Sequence, residues 1–550
     1  MKLKLESSEQ NINRKNRQDL SFKGAGTAAS SMLHFLNAYP AVGALCVDVC
    51  SMGIPRTCID SFRGPDAAKE TAIREFSSTL NFALIGIWST MAAVGLGHFF
   101  NKRFKGAQIQ KTFANNDTID VFSGMYNQHV TTDKTKTIEK FSENFANSIE
   151  TLNSNEWKKI ENTKVKKEIT TILTEALKNP EYNKQADKLA QQKILSLITA
   201  ETGANQAARL TFNKKTLSLS ASNMVDNFIS LGRNFAHTAN GKLDSTFIKA
   251  IRSNKMAASL LGLSIPFIIG TSTQPINRYL TKLRTGKEGF VGIQGEKADT
   301  SGNFGLLKFI CAPAAAIGAI STIGKNPINK LQFSGLIPGV AQLKLLYGCT
   351  IASRILSSRD KNELRETCIK DTFGFVNWLI LGGFVSKLIA NKLDKNIMNY
   401  DSSGLDKNAS SLKKGWHWIT NAQIKSTEEI LIKDMHDAGL SIKDANGNPK
   451  SFKTLLKELP ANMSATRKKI SAANKAQAAG YIYSMLAIGI GIPIFNIFMT
   501  KHYTKKKPQT STAPTEEKKV QNPKVSVSPY FIKPEMVKKI QNSNGATPLK

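Results

Sequence analysis

Lys69–Gly86 reads KETAIREFSSTLNFALIG, and Arg365–Gly382 reads RETCIKDTFGFVNWLILG. Aligned without gaps, the two stretches share Glu, Thr, Ile, Asn and Gly, with conservative exchanges at the basic and acidic positions. Each reads as a polar helical turn feeding an apolar helix. Glu70 and Arg74, like Glu366 and Lys370, stand four apart and support a helix wherever they occur. Asn81 and Asn377 mark the entrance to each apolar run, followed by the aromatic residues Phe82 and Trp378. A second echo keeps the same order. KAIRSNKMAA (Lys249–Ala258) and KISAANKAQA (Lys469–Ala478) each precede an apolar run containing Ile-Pro. The runs close alike, with PINRYLTK from Pro275 and PIFNIFMTK from Pro493. Repeated order points to an internal duplication.

The fold class that follows is all-α: a polytopic helical membrane protein with polar helical insertions. Residues 1–30 are polar and expected to be disordered. They lack the apolar core of a signal peptide, so membrane entry would rest on internal segments. Residues 31–100 form a first membrane unit, part A. Within it Ser31–Gly53 is interrupted by His34, Asn37, Pro40 and Asp48, whereas Asn81–Phe100 has about the length that crosses a bilayer core. Residues 101–255 are a long polar insertion. Apolar residues recur there at helical spacing, as in Ile138, Phe141, Phe145, Ile149 and Leu152. Residues 256–305 complete the first unit and end in a glycine-rich linker. Residues 306–390 hold Leu306–Gly324, Phe333–Ala352 and the echoed Phe373–Ala390. Residues 391–479 are a second polar insertion, 480–507 the last span and its basic border, and 508–550 a Pro-, Ser- and Lys-rich tail expected to be disordered.

With five spans from Asn81–Phe100 to Phe373–Ala390, the echoed helices run in the same direction and the repeats are parallel; should only one of Leu306–Gly324 and Phe333–Ala352 cross, they become inverted. The Lys and Arg content of the short loops places 275–305, 354–371 and the tail in the cytoplasm. Six spans result, with the insertions outside.

The chain carries 75 Lys and Arg against 42 Asp and Glu, a formal charge of +33. The lysines are spread through every polar segment and do not form an aromatic-interleaved stripe, so nucleic acid is not expected as a partner. Anionic lipid headgroups account for them more simply, and the insertions offer a surface for a protein partner. The location that follows is an integral plasma or inner membrane. The six cysteines form no CxxC and lack matching histidines, so neither a metal nor any other cofactor is expected. DANGNP, from Asp444, reads as a tight turn: its glycine falls too early for a calcium loop and Leu455 occupies the closing position. No nucleophile elbow or HExxH is present, and the chain reads as non-enzymatic. GWHWIT, around His417, reads as a Trp-rich patch at a bilayer surface.

Charges inside membrane segments are costly and invite a functional reading. The offset that aligns the echoed helices also aligns Asp48 with Lys344, which makes them a candidate intramembrane ion pair between the halves. Asn81 and Asn377 are candidate repeat-equivalent interhelical polar residues. The functional expectation is a scaffolding or membrane-organising protein. The alternative is a transporter or channel built from two pseudo-symmetric repeats.

Overall fold

The computed structural model describes residues 48–505 except 105–112, 239–240, 293–298, 324–329, 336–338, 378–380 and 407, together with Met32, Leu33 and Cys46. Both termini, Trp378 and most of Ser31–Gly53 lie outside the described residues.

A π-helical turn, Asp48–Gly53, leads into α1 (Ile54–Ser61) and α2 (Pro65–Arg103). Gly64, at φ 124°, makes the turn between them, a conformation that a Cβ would disfavour. Pro65 then opens α2 where no backbone N–H is needed. At 39 residues, α2 is about 58 Å long, well beyond the roughly 30 Å of a bilayer core.

Burial on α2 is inverted relative to a water-soluble helix. Glu70, Thr71, Glu75, Asn81 and Ser89 are buried, while Phe76, Leu80, Ile87, Met91 and Phe99 are exposed. A water-soluble helix buries its apolar face. This arrangement suits a helix whose surroundings are apolar. Among the described residues, four helices are long and apolar enough to cross a membrane: Pro65–Arg103, Ser245–Thr285, Phe304–Ser321 and Ser464–Tyr503.

The first insertion contains α3 (Asn116–Gln128), α4 (Lys134–Ser148), the hairpin β1 (Ile149–Asn153) and β2 (Glu156–Lys159), α5 (Thr163–Lys178), α6 (Lys184–Thr202), the hairpin β3 (Ala208–Phe212) and β4 (Lys215–Leu219), and α7 (Ala221–Thr238). Its helices begin as soluble helices do. Asn115, Asp133, Asn162 and Asn183 each accept a backbone N–H in the first turn. Phe122, Phe141, Phe145 and Phe228 stack at its centre, all fully buried. The strands form an antiparallel sheet in the order β2-β1-β3-β4. They correct the all-α expectation, although the chain is mostly helical. The strands are only four or five residues long and carry little alternation of their own. The β3–β4 turn uses positive φ at Asn213 and Lys214, the geometry of a two-residue hairpin.

Next come α8 (Ser245–Thr285), α9 (Phe304–Ser321), α10 (Val340–Leu356), α11 (Lys361–Val376) and α12 (Gly382–Leu393). The second insertion holds β5 (Met398–Tyr400), α13 (Ser411–Asn421), β6 (Ala422–Ile424), α14 (Thr427–Asp437) and α15 (Phe452–Glu458). Then α16 (Ser464–Ser484), a π-helical stretch Met485–Gly491 and α17 (Ile492–Lys505) follow. The DANGNP stretch is a turn: Asp444 Oδ1 accepts from Asn446 N and Asn448 N, and Gly447 adopts φ 72°.

The two insertions, read from sequence as separate, are packed together. Glu429 supplies the hook. Its Oε1 accepts from Asn205 N at 2.5 Å and Gln206 N at 3.0 Å, while Oε2 accepts from Ser426 N at 2.7 Å in a capping box. Tyr400 N donates to Ser154 O at 2.6 Å, and Ser154 N donates to Asn399 Oδ1 at 2.7 Å. Ala200 of α6 joins the apolar cluster around Leu431 and Ala473.

The long helices run alternately between this composite domain and the opposite end of the bundle, and they approach through small residues. A Cβ on Gly262 would lie 2.9 Å from Ser89 Oγ, and one on Gly348 would lie 2.3 Å from Ala319 Cβ. Such seams let helix backbones approach closely. Pro275 inside α8 removes the N–H that would bond Thr271 O, and Ser353 Oγ donates to that carbonyl instead at 2.5 Å.

Candidate functional site

The end of the bundle away from the insertions is built from charge. Arg63 follows α1, Glu70 lies in the second turn of α2, Arg359 precedes α11 and Glu366 lies within α11. In the alignment of the two echoes, Arg63 matches Arg359 and Glu70 matches Glu366. The contacts are crossed. Arg63 donates to both oxygens of Glu366, at 2.9 and 2.5 Å. Arg359 donates to both oxygens of Glu70, at 3.2 and 2.7 Å. Two planar guanidinium–carboxylate forks of this kind fix orientation as well as distance. When residue i of one segment meets j of the other, and i of the other meets j of the first, the contact has the pattern of a two-fold interface.

The second echo obeys the same rule. Asn277 Nδ2 donates to Glu70 O at 2.8 Å, and Asn496 Nδ2 donates to Glu366 O at 3.1 Å. Counted back from the closing Thr-Lys of PINRYLTK and PIFNIFMTK, these asparagines occupy the same place. Thr500, within PIFNIFMTK, also donates to Glu366 Oε1.

A further layer of pairs surrounds this crossing. Arg278 Nε donates to Glu363 at 2.7 Å, and Arg359 reaches the same carboxylate at 3.0 Å. Arg56 bonds Glu75 at 3.2 Å, and Arg354 bonds Asp371 at 3.0 Å. Glu75 and Asp371 are again matched positions. Lys370 lies 3.7 Å from Asp60 and 3.8 Å from Glu75. Burial opposes ionisation of Glu363, but Arg278 and Arg359 outweigh it and hold the carboxyl below its usual range. Burial likewise works against the charge on Asp60, yet Lys370, the Thr71 hydroxyl and Arg63 keep its carboxyl low.

A small cleft opens at the crossing, lined by four matched pairs: Ala67 with Glu363, Glu70 with Glu366, Thr71 with Thr367, and Arg74 with Lys370. Phe290 also lines it, under both crossing arginines: the Arg63 guanidinium lies 5.1 Å from the ring centroid and that of Arg359 lies 6.0 Å away. Phe290 N donates to Asp360 Oδ2 at 2.8 Å, and Arg63 Nε donates to Gly292 O at 3.1 Å.

The residues singled out from sequence fall elsewhere. Asp48 accepts from Thr79 Oγ1 at 2.9 Å, and Lys344 Nζ donates to Thr322 O at 2.9 Å. No ion pair joins the two among the described residues. Equivalence by offset is not adjacency: in a crossed arrangement, equivalent residues meet only on the axis, and partners elsewhere are non-equivalent. Asn81 Nδ2 donates to Pro266 O at 2.8 Å, and Asn377 Oδ1 accepts from Tyr483 Oη at 2.8 Å. Each therefore bridges to the apolar helix that follows the adjoining insertion. Sequence reasoning passed over Arg63, Arg278, Arg359 and Glu363. The offset that matched Asp48 with Lys344 also matches Arg63 with Arg359, so a signal for two of them was present.

Among the described residues no group of three or more His, Cys, Asp or Glu side chains could hold a metal ion. No known protein family, curated protein or solved structure matches the chain.

Proposed function

We propose that this is a membrane protein of two related halves that moves a small polar solute across a bilayer, with the crossed ion pairs acting as a latch that closes one end. The observation that carries this reading is the cleft at the crossing, lined by matched residues of both halves and bounded by crossed ion pairs. Transporters commonly place their sites between internal repeats and rock one half against the other. A latch of buried ion pairs suits such motion, because its strength depends on excluding water. The bundle interior adds support. Asn81 Oδ1, Gln274 Oε1, Asn277 Oδ1 and Asn496 Oδ1 are buried and have no protein partner among the described residues. Buried polar atoms of that kind suit an interior that admits water or a polar solute.

A scaffolding role is the second reading. It is favoured by the composite domain, which unites two long insertions that a minimal transporter would not need. Impermeant thiol labelling separates the two. In a cysteine-free background, a cysteine replaces Thr367, which is 3% exposed in the cleft. The transport reading expects labelling from both faces of reconstituted vesicles. It also expects faster labelling at the latch end when Arg63→Ala and Arg359→Ala are combined. Labelling from one face alone, unchanged by removing both arginines, would leave the scaffold.

A further inference from the structure

The Trp-rich helix α13, SLKKGWHWITN, has one occupied face and one bare face. Ser410 caps it by accepting from Lys413 N. Inward, Trp418 meets Phe384 of α12 edge to face at 6.2 Å, His417 Nδ1 lies 3.1 Å from Tyr400 Oη, and Ile419 O accepts from Lys387 Nζ at 2.7 Å. Outward, Leu412 is 88% exposed and Trp416 54%, one turn apart on the same face. Lys413 and Lys414 are exposed between them, and no residue of the helix is buried. In water, a bare Leu and Trp face on a well-capped helix lacks a partner.

The position of the helix identifies the missing partner. Phe384 and Lys387 belong to the first half of α12, not to its end at the insertions. α12 in turn packs tightly on α16, where a Cβ on Gly480 would lie 1.8 Å from Ser386 Oγ. α13 is thus held beside the apolar helices and not above them. Leu388 of α12, one residue beyond Lys387, is itself 45% exposed.

We infer that α13 is an interfacial anchor: it lies in the headgroup layer of an anionic bilayer, with Leu412 and Trp416 at the acyl boundary and Lys413 and Lys414 among the lipid phosphates. Tryptophan favours that depth, and lysine stems reach from it to the phosphates. Juxtamembrane lysines are drawn to anionic lipid. The anchor would hold the composite domain against the membrane at a fixed height, independently of whether the protein transports anything.

The test is fluorescence of the full chain in nanodiscs, comparing the wild type with Trp416→Phe. The chain has five tryptophans, so the difference between the two isolates Trp416. Lipids brominated near the headgroup should quench the difference signal, and aqueous acrylamide should not. Quenching should be stronger with brominated phosphatidylglycerol than with brominated phosphatidylcholine, and Lys413→Gln with Lys414→Gln should abolish that preference. A difference signal quenched by acrylamide and untouched by brominated lipid would overturn the anchor and assign the face to a soluble protein or a second copy. Membrane crossing is read separately from Trp88 on α2, by bromines at mid-chain depth, so the two failures are distinguishable.

Discussion

The halves of this chain touch at both ends of one helical bundle, by different chemistry. At the latch end the contacts are guanidinium–carboxylate forks such as Arg359 with Glu70, and each depends on geometry and on the exclusion of water. At the insertion end the contact is carried mainly by hydrogen bonds to backbone: Glu429 accepts from Asn205 N and Gln206 N, and Tyr400 N donates to Ser154 O, while Ala200 of the first insertion enters the apolar cluster around Leu431 of the second. A buried ion pair does not tolerate displacement, because losing one partner leaves a charge in a poor solvent. On the proposed reading, the end built from ion pairs is the one that opens.

The sharpest way to break the comparison is Arg359→Ala, which strands Glu70 and takes from Glu363 one of its two arginines. A loss of about 4 kcal/mol is expected, read by thermal unfolding of the purified protein, with little rescue by Arg359→Lys because a lysine cannot make the fork. A loss below about 1 kcal/mol would mean that the latch end is already wet. Next in size is Glu429→Ala, which leaves Asn205 N and Gln206 N without their acceptor. About 3 kcal/mol should be lost, with hydrogen exchange rising at residues 205–206 and the latch end unaffected.

Acid should separate the two ends. Glu363 and Asp60 are held low in the folded protein, so their stabilisation is complete above the unfolded carboxyl value of about 4 and is lost as pH falls through their folded values. Glu429 is the reverse: burial pushes its carboxyl up, against the backbone bonds it accepts, so its contribution is greatest in acid and declines as pH rises through its folded value. Acidification below about pH 4 should thus loosen the latch while the composite domain holds, measured as faster labelling of the Thr367→Cys cleft without a change in exchange at residues 205–206. Simultaneous loss at both ends would erase the distinction. The smallest effect belongs to the exposed Asp437, 2.7 Å from Lys433 on α14. Asp437→Ala should cost about 0.3 kcal/mol, within the range of ordinary surface pairs.

The long helices were legible because hydropathy is a local property. Asn81–Phe100 lies within α2, the apolar run that opens 256–305 lies within α8, and the span in 480–507 covers the end of α16, the π-helical stretch and α17. Boundaries were not legible, because polar turns such as Lys69–Glu75 continue the helix without continuing the apolar run. The strands escaped notice because a stretch like EWKK acquires its conformation from β1 beside it. The latch was half visible. Glu70 and Glu366 were noticed as partners of Arg74 and Lys370 one turn away, the pairing that an isolated helix would make. In the folded chain each carboxylate instead takes an arginine from the other half, a choice that only tertiary placement decides. Lys344 shows the limit of reasoning by offset: matched to Asp48 in the alignment, it caps the end of α9 through Thr322 O.

The hook at Glu429 also constrains how the protein can be made. It is separated from Asn205 by 224 residues, and between them lie α8, α9, α10 and the α11–α12 pair. Synthesis must therefore finish two further helical hairpins before the domain begun by the first insertion can close, a long-range contact of the kind that forms late. If those helices thread a membrane, their number must be even, since both insertions have to emerge on one side. The composite domain is then a parity check on insertion. A chain that misplaces one crossing delivers Glu429 to the wrong compartment, where Asn205 and Gln206 are out of reach.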